Sequence, residues 1–517
     1  MIASLLRPEA YPHPTGPIAL LETHISWILL SGAYAYKVKK PVSLGFVDFS
    51  TLERRRHFCQ EELRLNQRLA AELYLDLVDI HGPAEQARLG SSGSGPVIEV
   101  AVRMRRFDQE CLLPQALATG TVTGEQLEAF AERLARFHAA AAVAPPEGPE
   151  GTPEAVIAPA RANLAVLERL HPELGSSALA AWTEREAERL RPLFADRLAR
   201  GRVREGHGDL HLGNLVLHQG LVVGFDCLEF NPALRWIDTL SDVAFLAMDL
   251  TQSQEPVLAG RLLNRWLSTS GDYGGLATWR WYLIYRALVR AKVLALRLEQ
   301  GKASDGLERE ALARQLRSYS ALAHRVSGST GPGTLLLTHG VSGSGKSHRA
   351  SALCQRHGWI QLRSDVERRR LFGRWGTALE PPRQGEAYAP ALTAELYGSL
   401  LPTAAAAVLN AGLTVVVDAT FLTRGQRRVF TELADRLEAP WWILDCPVTL
   451  DVARERLATR QRRGEDPSEA DEEVLMRQWQ AMEPLTAMEQ ARAARGIELE
   501  ETERLLRHLQ PGLLSPI

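Results

Sequence analysis

The sequence predicts two domains of different class: a two-lobed α+β domain, then an α/β domain built on a doubly wound parallel sheet. Three observations carry this prediction. In residues 1–326, strand-like segments come first and helix-like segments follow. In residues 334–517, short apolar strands alternate with helical segments. Between them lies Val326-Ser-Gly-Ser-Thr-Gly-Pro-Gly333, a small-residue stretch unable to sustain a helix or pack a core, so that 327–333 reads as the linker. A chain of 517 residues has room for roughly two to four domains.

In order along the first domain, Ile25–Leu30 and Ala33–Lys39 flank Ser31-Gly32, a hairpin signal. A helix is predicted from about Leu52 to Leu73, then strands over Tyr74–Ile80 and Val97–Arg103, joined by the Gly/Ser-rich loop Gly90–Pro96. Pro145–Pro153 reads as a flexible connection into a helical lobe, whose last stretch, Thr278–His324, is helix-like throughout. One segment breaks the helical pattern: Gly206–Phe230, rich in Gly, His and Asp between short apolar runs. In the second domain, strands are predicted at Leu335–His339, Trp359–Leu362, Thr414–Asp418 and Trp441–Asp445, each followed by a helix.

Composition narrows the function. Sixty basic against sixty-two acidic residues give a net charge of -2, and residues 331–517 are as balanced as the whole, which excludes bulk nucleic-acid binding by charge. No apolar run approaches the length of about 18–20 residues that spans a bilayer, and Arg7, Pro8 and Glu9 interrupt the N-terminal apolar stretch, so neither a membrane span nor a signal peptide is expected. Cys59, Cys111, Cys227, Cys354 and Cys446 are widely spaced and odd in number, which fits free thiols in a reducing cytoplasm. Only six of the basic residues are lysine, and four of these (Lys37, Lys39, Lys40 and Lys346) fall in the two motif regions.

Gly340-Val-Ser-Gly-Ser-Gly-Lys-Ser347 fits GxxxxGK(S/T) between a predicted strand and a predicted helix. Gly340, Gly343, Ser344 and Gly345 would wrap a phosphate with backbone N–H groups, Lys346 would reach the terminal phosphates, and Ser347 would ligate Mg²⁺. Downstream, Asp365 and Arg368 lie at a strand end and helix start, where acceptor groups sit in an open α/β sheet. Asp365 could equally cap the helix expected to begin at Val366. Asp418 ends an apolar strand, as a Mg²⁺ ligand would. Arg454, Arg456, Arg460 and Arg463 share one helix, with Arg456 and Arg460 on one face; they make either a lid over phosphates or a solvated surface. Residues 334 to about 480 resemble the P-loop kinase group that includes polynucleotide 5′-hydroxyl kinases, zeta toxins, gluconate kinase and chloramphenicol phosphotransferase. The resemblance rests on GVSGSGKS, SDVERRR, VVVDATF and RERLATRQRRGEDPSEAD. It implies a P-loop NTPase fold, Asp365 as the group that takes the acceptor hydroxyl's proton, and Arg456 and Arg460 as lid arginines that stabilise the transferred phosphoryl.

His207-Gly-Asp-Leu-His-Leu-Gly-Asn214 spaces Asp209 and Asn214 like the catalytic loop H-R-D-x-x-x-x-N, and Val222–Asp226 follows as a short strand ending in a carboxylate. That pattern suits Mg²⁺-dependent phosphoryl transfer; a zinc site from His207, Asp209 and His211 is a rival reading. HGDLHLGN, FDCLEFN and LRWIDTLSDVAFLAMDL, in that order, make residues 20–300 similar to the aminoglycoside phosphotransferase family, which has the protein-kinase fold. The resemblance implies Asp209 as catalytic base, Asn214 and Asp226 as Mg²⁺ ligands, and structural roles for Asp238 and Asp242, with Asp238 bracing the catalytic loop. It also requires a nucleotide-binding lysine on the strand Ala33–Lys39. Lys37 and Lys39 alternate to one face; Lys37 is preferred, and of Glu61 and Glu62 as its partner, Glu62. Ala101–Phe107 would be the hinge at adenine. No GxGxxG precedes this strand.

The order of the two parts resembles that of bacterial fusions of an aminoglycoside phosphotransferase-like domain with a P-loop domain. The expected protein is a cytoplasmic kinase using ATP or another NTP with Mg²⁺ at each site. Its acceptor would be a small-molecule hydroxyl or a nucleic-acid 5′ end. The alternative keeps one catalytic P-loop domain, with the first domain binding or regulatory.

Overall fold

The computed structural model describes residues 1–44, 47–90, 95–301, 306–377, 383, 389–463, 468, 470–495 and 499–509; the side chains of residues 460, 461, 463, 505, 508 and 509 lie outside that description. These residues group into two compact units. The first comprises 1–126, 141–155 and 198–242, and the second 127–140, 156–197 and 243–517.

The first unit is built on an antiparallel sheet in the order 19–22, 26–31, 34–39, 97–105, 74–81, 88–89. Alternation along Tyr34–Lys39 decides what each face carries. Tyr36 and Val38 join a core with Leu29, Ile80 and Ala101. Ala35 packs on the other face with Val100, Val102 and Cys59 of the helix Leu52–Ala70. Lys37 and Lys39 share that second face, which the helix covers. The expected hairpin forms, with Ser31 opposite Tyr34 across Gly32-Ala33. The break in the helical pattern becomes a second hairpin, Leu215–His218 with Leu221–Gly224, closed by Gln219-Gly220, both at positive φ as a tight two-residue turn requires. Asp209 and Asn214 precede its first strand and Asp226 follows its second.

The second unit holds a five-stranded parallel sheet in the order 360–363, 415–418, 335–339, 441–445, 493–494. Four strands lie within a residue of their expected positions; Ala493–Ala494 is too short to show in a sequence pattern. The helix Lys346–His357 starts directly after the phosphate loop. The same unit contains a helical core in which Phe245, Met248, Leu288, Ala291, Leu316 and Leu322 pack together.

Three expectations need correction. The stretch Thr278–His324 is two helices, Trp279–Glu299 and Gly306–Gly328, because Gln300-Gly301 ends the first. The second helix continues through Val326, Ser327 and Gly328, where the sequence placed a stretch unable to be helical. Packing of Leu316, Tyr319, Leu322 and Ala323 holds its last turns, and propagation into poor helix formers costs little once a helix is anchored. Residues Pro390–Asn410 are, by length and composition, apolar enough to cross a membrane, with mean hydropathy 1.3. Thr393, Glu395, Ser399 and Thr403 interrupt the segment, so it does not read as one continuous apolar run. Leu396, Leu401, Ala405, Val408 and Leu409 are buried in the protein.

Candidate functional site

In the first unit, helix spacing brings Glu62 under the strand that carries the two lysines. Lys37 Nζ lies 2.7 Å from Glu62 Oε1 and 2.6 Å from Asp226 Oδ1. Lys39 Nζ lies 2.7 Å from Glu62 Oε2 and also pairs with Glu229. Glu61, one residue away and so rotated off this face, pairs with Arg64 at 2.9 Å. Burial opposes the charge on Glu62, yet the Lys37 and Lys39 ammonium groups hold its carboxyl down at about 2. Lys39 is sealed in, with 1% of its side chain exposed, against 12% for Lys37 and 43% for Asp226. Asp226 takes a left-handed backbone, φ 63, a conformation disfavoured for a non-glycine residue, and its N–H donates to the buried Tyr74 Oη at 3.2 Å.

Asn214 Nδ2 donates to Asp209 Oδ2 at 3.1 Å and to the Asp209 carbonyl at 3.0 Å, closing the His207–Asn214 loop on itself. His207 is buried, which pushes its pKa below the usual imidazole range. Its Nε2 donates to the Phe225 carbonyl at 2.9 Å, and its Nδ1 accepts from the Asp209 N–H at 3.3 Å. Both ring nitrogens are thus engaged, and among the described residues no three His, Cys, Asp or Glu groups converge on a metal position. The zinc reading of His207, Asp209 and His211 is overturned. The loop is braced by Asp242. Asp242 accepts from the N–H of His207 at 2.7 Å and of Gly208 at 2.9 Å, whereas Asp238 accepts from Leu240 N–H at 3.0 Å, at the start of its own helix. Phe107, at the expected hinge, packs its ring on Phe225, 5.3 Å between centroids.

In the second unit, Gly343 turns the phosphate loop at φ +80, where an added Cβ would fall 2.5 Å from the Ala453 carbonyl of the arginine helix Leu450–Arg463. Lys346 Nζ reaches back across the loop to the Val341 carbonyl at 3.3 Å. Ser347 Oγ donates to Asp418 Oδ1 at 3.0 Å; Gln361 Nε2 donates to Asp418 Oδ2 at 3.0 Å. Burial raises the pKa of Asp418, while Arg363, Lys346 and Ser347 oppose that rise. The Ser344 Oγ is buried with no hydrogen-bond partner among the described residues. Arg456 Nη1 donates to the Ser344 carbonyl at 3.4 Å, whereas Arg454 turns to Glu472 at 3.0 Å. The side chain of Arg460 lies outside the described residues. Asp365 sits half-buried in the first turn of the helix Ser364–Leu371, whose N-cap is Arg363 with no side-chain cap bond, so the expected capping role is absent. Arg368, one turn on and buried, donates to Thr393 Oγ1 at 3.3 Å.

Two parts of the chain match known families: residues 46–282 the "Phosphotransferase enzyme family", and residues 335–485 an "AAA domain". Over 461 residues the chain is 31% identical to uncharacterized protein Rv2004c of Mycobacterium tuberculosis, covering 87% of this chain and 88% of the relative. The same figures hold for uncharacterized protein Mb2027c of Mycobacterium bovis. The chain belongs to their family. This chain joins a phosphotransferase-family segment to a P-loop segment, and it is a kinase-type enzyme that uses a nucleoside triphosphate. Among solved structures, a choline/ethanolamine kinase family protein from Mesorhizobium loti is similar at 14% identity and TM-score 0.36, over 61% of this chain and 92% of that one. A gluconokinase from Sinorhizobium meliloti is similar at 20% identity and TM-score 0.23, over 35% and 97%.

Sequence reasoning missed several residues that the fold brings to these sites. Glu229 shares Lys39, 190 residues away in sequence. Arg68 grips the approach to the catalytic loop, donating to the carbonyls of Glu205 at 2.7 Å and Gly206 at 3.1 Å. Tyr397 shares a hydrogen bond with Thr420 Oγ1 at 3.0 Å, beside the end of the Asp418 strand. Tyr397 sits in a five-residue π-helical turn, Leu396–Leu400, and such turns are frequent at functional sites. No motif spacing announces any of these; the π-turn leaves no mark in sequence.

Proposed function

We propose that this family member carries two phosphoryl-transfer sites, each moving the γ-phosphoryl group of ATP or another NTP onto a hydroxyl. One is in residues 1–326, the other in residues 334–517, on either side of the linker 327–333. The observation that carries the reading is the convergence in the first unit of Lys37, Glu62 and Asp226, together with an Asn214 that holds Asp209.

In the first site Asp209 would take the acceptor's proton, Lys37, oriented by Glu62, would bind phosphate oxygens, and Asn214 and Asp226 would hold Mg²⁺. The half-exposed Asp226 carboxylate, the site's least buried acid, fits a metal reached from solvent. In the second site the loop's glycine cradle and the unpartnered Ser344 hydroxyl support a fit to a phosphate. There Gly340, Gly343, Ser344, Gly345 and Lys346 would bind phosphates, Ser347 and Asp418 would hold Mg²⁺, and Asp365 would take the acceptor's proton. Arg368 would bind the acceptor, with Arg456 and Arg460 drawing the lid helix over the phosphates. When bound, Mg²⁺ neutralises phosphate oxygens and so lowers the charge the acceptor must approach. The acceptor is a small-molecule hydroxyl or a nucleic-acid 5′ end, met in the cytoplasm, where the five free thiols are stable.

A second reading makes the first site a binding or regulatory one. It is favoured by the turn between strands 19–22 and 26–31, closed by Thr23 N–H to the Ser26 carbonyl at 2.9 Å, which is too short to fold over phosphates as a glycine loop does. Asp209→Asn and Asp365→Asn in the full chain, assayed against sugars, other small hydroxyl compounds and 5′-hydroxyl oligonucleotides, decide the matter. Each should lower transfer to its own acceptor by about a hundredfold or more while sparing nucleotide binding, the scale of a lost general base. Undiminished transfer to every acceptor by Asp209→Asn would leave only the second reading.

A further inference from the structure

We infer that the helix Pro256–Ser270, contributed by the phosphotransferase-family segment, is a working part of the phosphate-loop site, and that its Asn264 is a positioning residue for the Ser347–Asp418 pair. The inference rests on the proposed role of that pair in holding Mg²⁺.

The strand Ile360–Arg363 pairs on one side with Val415–Asp418 and stands at the edge of the parallel sheet. Edge N–H groups that are buried need partners from elsewhere. The partner for Gln361 is Asn264, whose Oδ1 accepts the Gln361 N–H at 2.8 Å. The side chain of the same Gln361 is fixed at both ends: Nε2 donates to Asp418 Oδ2 at 3.0 Å, and Oε1 accepts from Ser351 Oγ at 2.9 Å. Asp418 Oδ1 in turn receives Ser347 Oγ at 3.0 Å. Three hydrogen bonds therefore run from Asn264 to the serine of the phosphate loop, with Gln361 as the link through its main chain and its side chain.

The helix is seated along its whole length. Near its start, Gly260 meets Gly358 backbone to backbone, and a Cβ at 260 would collide with the Gly358 carbonyl. At its end, the last-turn carbonyls that a helix leaves unpaired are taken up by the phosphate-loop segment. Arg370 donates to the carbonyls of Ser268 and Thr269, Trp375 Nε1 to Ser268 at 2.9 Å, and Thr377 N–H to Thr269 at 3.2 Å. Other side chains of the helix tie it to the helix Gly124–Ala140. Arg261 pairs with Glu128 at 2.7 Å, Arg265 with Glu132 at 3.0 Å, and Trp266 Nε1 donates to His138 Nδ1 at 3.1 Å. An edge strand gripped in this way cannot shift without moving Gln361, and Gln361 sets the oxygen of Asp418 that Ser347 does not hold.

The test uses the full chain and calorimetric titration of ADP at stepped Mg²⁺, reading the binding event that Lys346→Ala removes. Asn264→Leu keeps the side-chain size and deletes the acceptor. It should raise the Mg²⁺ needed for half-maximal strengthening of ADP binding by about tenfold or more, the scale for losing an outer partner of a metal ligand, with Mg²⁺-free ADP binding unchanged. Asn264→Asp restores the acceptor and should restore the parental requirement. Gln361→Leu breaks the same chain from the other side and serves if Asn264→Leu does not fold. A parental Mg²⁺ requirement in Asn264→Leu, or equal impairment in Asn264→Asp, overturns the inference, provided Asp418→Ala does raise the requirement. If Asp418→Ala leaves it unchanged, the assignment of Mg²⁺ to Ser347 and Asp418 fails first.

Discussion

Replacing Asp242 by Asn tests whether the first catalytic loop is held from outside by one buried carboxylate. Asp242 has no exposed surface, and its two oxygens accept the N–H groups of His207 and Gly208 at 2.7 and 2.9 Å. A hydrogen bond to an ionised acceptor contributes about 1.5–3 kcal/mol, and a buried donor left without a partner costs about 1–3 kcal/mol. Asparagine keeps one oxygen but turns an NH₂ toward the second N–H, so one bond is lost and one amide is stranded, a destabilisation of about 2–3 kcal/mol. Tenfold corresponds to about 1.36 kcal/mol, so amide exchange across residues 203–214 should accelerate by about 30- to 150-fold, as read by hydrogen-exchange mass spectrometry. Asp238→Asn is the control. One of its oxygens accepts a helix-start N–H rather than a loop N–H, so exchange in the same peptides should accelerate less than it does in Asp242→Asn. The reasoning is refuted if Asp242→Asn leaves exchange within about threefold of the parent, or if Asp238→Asn has the larger effect.

Two further outcomes follow from the geometry. Lys346→Ala should remove one nucleotide-binding event and leave another, since Lys37, Asn214 and Asp226 lie in a different compact unit; calorimetry with ATP and Mg²⁺ checks it, and total loss of binding would mean the first unit holds no nucleotide. His207 is buried neutral, with its pKa below the unfolded value of 6.5, so the unfolded chain takes up a proton that the folded chain refuses. Stability of the first unit should therefore fall as pH drops below about 6.5, and His207→Gln should flatten that dependence by up to one proton. An unchanged slope of melting temperature against pH in that variant would count against it.

The phosphate loop and the catalytic loop were legible because each is a run of consecutive residues whose types set local backbone geometry. Glycines permit the turn from Gly340 to Gly345, and the stretch from Asp209 to Asn214 closes through bonds five residues apart. Four of the five described strands of the parallel sheet were legible as apolar runs between breakers. Strand periodicity also brought the choice of lysine to two candidates and no further, since residues 37 and 39 share a face by the geometry of any strand. Only packing decided the rest. One residue along a helix turns a side chain by about 100°, which sends Glu62 to both lysines and Glu61 to Arg64. Asp242 under the catalytic loop, Glu229 beside Lys39, and Asn264 on the sheet edge are all pairings across 34 to 190 residues of chain. No residue type or spacing encodes them: a buried carboxylate or amide accepts whichever donor the fold sets against it, and that partner exists only once distant segments have packed.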